Sequence, residues 1–302
     1  MSAIVCAYTF NRWELLTKAI DSLLVQKHRP VEVILCIDHN EELFRVAAEQ
    51  FMNRDPDIPV VVVQNRYQGR LGSARNTAAE IATGDILAFL DDDASADPSW
   101  LAELVAVFRQ PDVVAVGGAP LPDFAVDRPS WFPIEFDWIF GCSYEGLPTS
   151  LASTRRLIGA AMSVRRAALA EIGGFHSDNH DDMDMCHRLA ARWPNLKLMY
   201  QPAAVVHHHV PKERLTWKYF TNRCYTVNKG KVGAFQEMGN AASMAAERRF
   251  VARTLRAGLL REFNAVRRGE LAGAWRSAAM VVGIAAAGSG YVVGSVQLRT
   301  SR

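Results

Sequence analysis

The stretch Ile86-Leu87-Ala88-Phe89-Leu90-Asp91-Asp92-Asp93 decides the fold. Five apolar residues run straight into three carboxylates. A short, continuous apolar run suits a strand buried on both faces. Three adjacent carboxylates repel one another, so gathering them adds little stability unless a divalent cation offsets the charge. In open α/β sheets, ligands sit beyond the carboxyl ends of the strands, where Asp91, Asp92 and Asp93 would lie. An acidic triplet alone is equally well a solvated turn, so its flanks must choose between the two.

Upstream, strand and helix patterns alternate. Residues 3–7 read as a strand leading into Tyr8-Thr9-Phe10-Asn11-Arg12, with Asn11 placed to cap the next helix. Trp13, Leu16, Ile20, Leu23 and Leu24 then recur at helical spacing. Residues 31–37 form a second strand pattern ending on Asp38-His39-Asn40, followed by a helix over 41–50. Residues 60–63 are a β-branched third strand. The loop 64–72 carries Arg66 and Arg70, and the helix beginning near Ser73 carries Arg75 and Asn76 in its first turn. The alternation predicts an α/β fold: a Rossmann-like, mostly parallel central sheet with helices on both faces.

Successive strand ends therefore present Tyr8, Asp38 and the acidic triplet, with arginines from nearby loops. That set suits a nucleotide. The ring can stack on a base, Asp38 can accept a base N–H, and Arg70 or Arg75 can meet phosphates. Singly, Asp38 is as well explained as a helix cap and Arg75 as a solvated helix face. No glycine-rich phosphate loop is present, so phosphate charge falls to a metal and to arginine.

Downstream, residues 112–118 read as another strand. Residues 119–158 are rich in proline and aromatic residues, which suits an ordered acceptor-side loop region, or a satellite core under a long loop. In His180-Asp181-Asp182-Met183, Asp182 falls near a helix start. There a carboxylate either complements the helix dipole or serves as a general base. Residues 196–200 and 204–208 read as two short strands. In the second, Ala204, Val206 and His208 share the inward face, and an inward imidazole near an acidic site is a candidate metal ligand.

The 302 residues suffice for one large domain with an appendage, and 49% hydrophobic with 22% charged residues is ordinary for a globular protein. A net charge of +2 calls for no nucleic-acid partner. The 5 cysteines are scattered without zinc or redox spacing, as expected of small buried residues in a reducing compartment. No signal peptide is expected before the first strand.

At the C-terminus, residues 239–302 are expected to form a basic amphipathic helix and a hydrophobic helix, apart from a catalytic domain over 1–238. Arg248, Arg249, Arg253, Arg256, Arg261, Arg267, Arg268 and Arg276 outnumber Glu247, Glu262 and Glu270. From Ser277 to Leu298 no charge appears, a run of 22 residues against the roughly 20 a spanning helix needs. Gly290 and Gly294 have helix-packing spacing. The expected location is the cytoplasmic side of a membrane, either peripheral or held by one C-terminal helix.

The ordered motifs resemble the family 2 glycosyltransferases of the GT-A fold over about residues 3–235. They are Cys6-Ala7-Tyr8-Thr9 with Asn11-Arg12-Trp13, Asp38-His39-Asn40, Gly72-Ser73-Ala74-Arg75-Asn76, and Phe89-Leu90-Asp91-Asp92-Asp93. Gly173-Gly174-Phe175, Asp181-Asp182, Val206-His207-His208-His209-Val210-Pro211 and Arg223-Cys224-Tyr225 complete the series. The opening, with Trp131-Phe132-Pro133, Gly141-Cys142 and Gly146-Leu147-Pro148, is similar to lipid-linked-sugar transferases such as glucosyl-dolichyl-phosphate glucuronosyltransferases.

The resemblance implies inverting transfer from a nucleoside-diphosphate sugar, UDP-sugar first, to a lipid-linked or cell-envelope glycan hydroxyl, with Mn or Mg. It implies that Tyr8 and Asp38 hold the base, Arg75 the nucleotide, and that Asp91 lies near the ribose. Arg12, Arg70 and Asp92 join that binding set. Asp93 and His208 would bind the metal, Asp182 would be the catalytic base, and Arg223 or Lys231 would steady the leaving diphosphate. Two departures stand out: Asp181-Asp182 replaces the commoner Glu-Asp, and Ala161 stands where many relatives have Asn. The competing readings are a sugar-phosphate nucleotidyltransferase and a non-catalytic sugar- or lipid-binding scaffold. A DDxxD prenyl-diphosphate enzyme is disfavoured by Ser95 at the last acidic position.

Overall fold

The structure, a computed structural model, describes residues 1–176, 180–237 and 250–300. Arg248, Arg249 and Glu247 lie outside the described residues. The chain divides into two compact units, residues 1–121 with 148–209, and residues 122–147 with 210–302.

The first unit is built on alternating strands and helices: β1 (Ser2–Ala7), α1 (Trp13–Leu24), β2 (Glu32–Ile37), α2 (Glu41–Phe51), β3 (Val60–Gln64), α3 (Leu71–Ile81) and β4 (Ile86–Asp91). Then come β5 (Ala94–Ala96), α4 (Trp100–Phe108), β6 (Val113–Phe124), β7 (Ala152–Thr154), β8 (Ala161–Arg165), α5 (Arg166–Glu171), α6 (Asp181–Arg192) and β9 (Lys197–Val210). The sheet order is β3-β2-β1-β4-β8-β6-β9-β5, with β7 on β9. β3, β2, β1 and β4 pair in parallel, whereas β8 joins β4 antiparallel. The sheet is thus mixed, its parallel half being the one that the strand–helix alternation indicates.

Strand alternation explains why both faces are covered. Ala3, Val5, Ala7, Val33, Leu35, Ala88 and Leu90 point to one side and pack on α1, α2 and α4. Ile4, Ile34, Cys36, Leu87 and Phe89 point to the other, against α3, α5 and α6. Gly118 is needed where β6 crosses β9, because a Cβ there would lie 2.3 Å from the Ala204 carbonyl.

Two local readings are corrected. Asn11 does not cap a helix; it donates its own N–H to Thr9 Oγ1 at the start of a short 3₁₀ turn. The two short strands expected at 196–200 and 204–208 are one strand, β9, of 14 residues. Pro202 falls between the stretch paired with β7 and the stretch paired with β5, where its missing N–H breaks neither ladder.

The second unit contains a 3₁₀ helix (Ile134–Phe140), α7 (Trp217–Glu237), a π-helical turn (Phe250–Leu255), α8 (Arg256–Arg267) and α9 (Ala272–Thr300). The aromatic residues of the proline-rich segment make its core. Phe132, Phe136 and Phe140 are buried with Phe220, and Trp131 stacks on Trp217 with ring centroids 4.3 Å apart. α9 carries an apolar span over Ala272–Leu298 with mean hydropathy 1.7, long and apolar enough to cross a membrane.

Candidate active site

The site forms where the parallel strands end level. Cys6 pairs with Cys36 and with Asp91, so Tyr8, Asp38 and the acidic triplet emerge along one edge of the sheet. Asn40 ties two of these ends together. It caps α2 by accepting from Leu43 N–H at 3.0 Å, and its amide donates to the Tyr8 carbonyl at 3.1 Å. Because Asn40 is the cap, Asp38 is not needed as one. Asp38 Oδ1 accepts instead from Asn65 Nδ2 at 2.8 Å. Asn65, buried at the end of β3, also holds Ser73 and Thr77. A Cβ at Gly69 would lie 3.2 Å from Asp38 Oδ1, so the loop passes close over this carboxylate. The Tyr8 ring is 58% exposed, with the Arg12 guanidinium carbon 6.0 Å from its centroid.

The three carboxylates of the triplet take different partners. β5 pairs antiparallel with β9 so that Ala94 faces His208. This register brings His208 Nε2 within 3.0 Å of Asp93 Oδ1, with both side chains buried. Among the described residues, Asp91, Asp93 and His208 bring ligand atoms within 4.8 Å of one another. Two carboxylates and an imidazole are a donor set that suits Mn²⁺ or Mg²⁺. Arg12 bridges Asp93 to Asp92, lying 3.1 Å from the first and 2.7 Å from the second. Burial, with the charges of Asp93 and Asp91, pushes the Asp92 carboxyl up to about 6 even though Arg12 pulls it down. Asp92 Oδ2 is buried without a hydrogen-bond partner, an acceptor that a cation or a ligand N–H would satisfy.

Arg75 joins this cluster to a second acidic pair. Its guanidinium is 3% exposed and donates to Asp181 at 2.8 Å, to Asp91 at 3.1 Å and to the Gly159 carbonyl at 3.1 Å. Gly159 N–H in turn donates to Asp182 Oδ2 at 3.0 Å, and Met183 N–H donates to Asp182 Oδ1 at 2.7 Å. Burial and the neighbouring charge of Asp181 push the Asp182 carboxyl up to about 6, against the pull of Arg75 and these two amides. A carboxylate so placed takes up a proton near neutral pH, which a general base must do. His180, with φ 73°, starts α6 in a left-handed conformation that turns the chain into this geometry.

Three further expected residues are Arg70, Arg223 and Lys231. Arg70 is exposed at the start of α3. Arg223 and Lys231 belong to α7 in the second unit. There Arg223 Nε donates to the Ile139 carbonyl at 3.3 Å, and the Lys231 ammonium lies 5.4 Å from the Trp138 ring centroid. Sequence reading gave no role to Asn65 or Gly159, and named Asp181 only as a member of the acidic pair. Asn65 carried a usable signal, a polar residue directly after the β-branched run of β3. Gly159 and Asp181 act through contacts 84 and 106 residues away from Arg75, which no local pattern shows.

Residues 2–173 match the family model described as glycosyl transferase family 2. The chain belongs to this family. It is a glycosyltransferase, which excludes the nucleotidyltransferase and scaffold readings. It is 31% identical to the glucosyl-dolichyl phosphate glucuronosyltransferase of Haloferax volcanii over 236 residues, 74% of each chain. It is 24% identical to the succinoglycan biosynthesis protein ExoM of Rhizobium meliloti, over 72% of this chain and 70% of that one. The fold is that of the mannosyltransferase PcManGT of Pyrobaculum calidifontis, solved in complex with GDP-Man and Mn2+. That match has a TM-score of 0.64 at 19% identity and covers 94% of this chain and 86% of that one. The GT-A architecture is thus established.

Proposed function

We propose that this family 2 glycosyltransferase moves a sugar, with inversion, from a nucleoside-diphosphate sugar to a hydroxyl of a lipid-linked glycan at the cytoplasmic membrane surface. The observation that carries the reading is the pairing of two sites by Arg75. One is the Asp91, Asp93 and His208 cluster at the strand ends, and the other is Asp182, whose carboxyl is pushed up to about 6. An inverting transfer needs stabilisation of the leaving diphosphate and one base for the acceptor hydroxyl, and no second catalytic carboxylate.

Asp93 and His208, with Asp91 beside them, are the proposed ligands of Mn²⁺ or Mg²⁺. A divalent cation held there supplies charge neutralisation for the leaving diphosphate. Tyr8 stacks on the base and Asp38, held by Asn65, accepts a base N–H, with uracil the first choice. Arg12 keeps Asp92 and Asp93 gathered. Arg75 orients Asp91 and the Gly159 turn, and Asp182 takes the acceptor proton. The name of the Haloferax volcanii relative supports a lipid-linked acceptor. The apolar span of α9 supports placement at a membrane.

The test is a transfer assay with the purified full chain, labelled UDP-sugars and a polyprenyl-phosphate-linked sugar in detergent. The expected result is a lengthened lipid-linked glycan with β configuration from an α-linked donor, lost on chelation and restored by Mn²⁺. Transfer only to water-soluble acceptors would refute the lipid-linked reading, and a product that retains the donor configuration would refute the role of Asp182.

A further inference from the structure

We infer that α9 does not cross the membrane but lies in the surface of an anionic bilayer, with one side packed on α7 and the opposite side in lipid. The inference rests on the membrane-acceptor reading above and specifies how the second unit meets that membrane.

The side packed on α7 is fixed by glycines. A Cβ at Gly290 would lie 2.2 Å from the Tyr225 carbonyl, and one at Gly294 would lie 2.6 Å from the Lys229 carbonyl. At Gly283 it would lie 2.4 Å from the Phe136 ring. Contacts therefore advance together along both helices, which run parallel and in backbone-to-backbone approach. α7 is a polar helix: along this length it carries Arg223, Asn228, Lys229 and Lys231. If α9 spanned a bilayer in this packing, those charges would enter hydrocarbon, where each is strongly unfavourable.

The opposite side of α9 is exposed and mainly apolar, with Gly288 and Ser289 as its small residues. Trp275, Val281, Val282, Val292 and Val296 are 40% to 62% exposed. Ala278 and Ala285 are exposed between them, and no charged residue interrupts the helix from Ser277 to Leu298. An exposed helix face in water ordinarily carries charge, and an uncharged, mainly apolar face of this length marks an interaction surface. The charge nearby identifies the partner. On and beside α8, Leu260 and Phe263 are exposed among exposed Arg253, Arg256, Arg267 and Arg268. Among the described residues from 251 to 298, the exposed acid is Glu270, which already pairs with Arg268 at 3.5 Å. Arginine interleaved with exposed apolar side chains fits anionic phospholipid headgroups above acyl chains.

Two measurements on the full chain test this. In the first, a short epitope is placed before Met1 and another after Arg302, and protease is added to sealed membrane vesicles of each orientation. Both epitopes are expected to be cut from the same side. Cutting from opposite sides means that α9 spans; it would overturn this inference while leaving the lipid-linked acceptor intact. In the second, the chain is floated with phosphatidylglycerol-containing and with pure phosphatidylcholine vesicles, together with Val282→Glu and Val292→Glu. Wild type is expected to prefer the anionic vesicles, and each variant to bind about tenfold more weakly, with UDP binding unchanged. Variants that float like wild type, or a chain that ignores vesicles and dimerises through this face, would overturn it. Binding to neither vesicle also removes the membrane from the proposed function, although transfer in detergent would still stand.

Discussion

Arg75 donates through Nη1 to Asp181 at 2.8 Å, across 106 residues of sequence, from a position 3% exposed. Burial works against its charge, but Asp181 and Asp91 more than offset that and hold the guanidinium firmly protonated. A planar group with three acceptors in fixed directions cannot be replaced by a lysine point charge. Arg75→Lys is therefore expected to fold, to lower kcat at least tenfold and to leave UDP affinity within a few-fold of wild type. Arg75→Ala removes the cation beside buried Asp181 and half-buried Asp91 and is expected to cost about 3 kcal/mol in chemical denaturation. A large loss of UDP affinity in Arg75→Lys with kcat unchanged would instead make Arg75 a nucleotide ligand.

Asp182→Asn is expected to abolish transfer with UDP binding near wild type, because an amide cannot take the acceptor proton. In wild type, kcat is expected to fall as pH drops through about 6, where Asp182 becomes protonated. A pH profile flat from 5 to 8 would contradict the assignment.

The same residue makes an opposite statement about stability. Its folded pKa of about 6 lies above the ordinary 3.8. A raised carboxyl pKa contributes stability fully below the unfolded value and loses it as pH rises through the folded value. Charged Asp182 therefore weakens the fold at pH 7.5. Asp182→Asn is expected to be more stable than wild type there by about 1–2 kcal/mol, after allowing for one weakened amide contact. The difference should vanish near pH 4. Thermal melts of both proteins at the two pH values check this.

Asn65→Ala is expected to cost about 1–3 kcal/mol, since buried Thr77 and the half-buried Asp38 each lose a partner. It should also blur base choice, so that the ratio of UDP to GDP affinity falls. An unchanged ratio would remove Asp38 from base recognition.

How much of this was legible depended on distance along the chain. The parallel half of the sheet was legible because β1, β2 and β4 are buried on both faces and β3 is a β-branched run, each punctuated by helices, so hydrophobic runs and turns coincide with strands and ends. The acidic triplet was legible because it terminates one such run. β9 was not, because Pro202 resembles a break unless its partners on either side are known. His208 could be placed on the inward face by alternation, but its meeting with Asp93 depends on the β5–β9 register. Arg75 could be read as a basic residue near the strand ends, but its contacts with Asp181 and Gly159 could not be foreseen from local pattern. The aromatic residues of 119–158 could be recognised as ordered, whereas their burial with Phe220 and Trp217 required the fold.

The central claim is that Asp93 and His208 hold a divalent cation that donor binding requires. Calorimetric titration of UDP into the full chain tests it most directly, with Mn²⁺ and with chelator, in wild type, Asp93→Asn and His208→Ala. The account expects binding to wild type only with metal, and a loss of at least tenfold in both variants. Equal UDP affinity with and without metal, or variants that bind as wild type does, would contradict it.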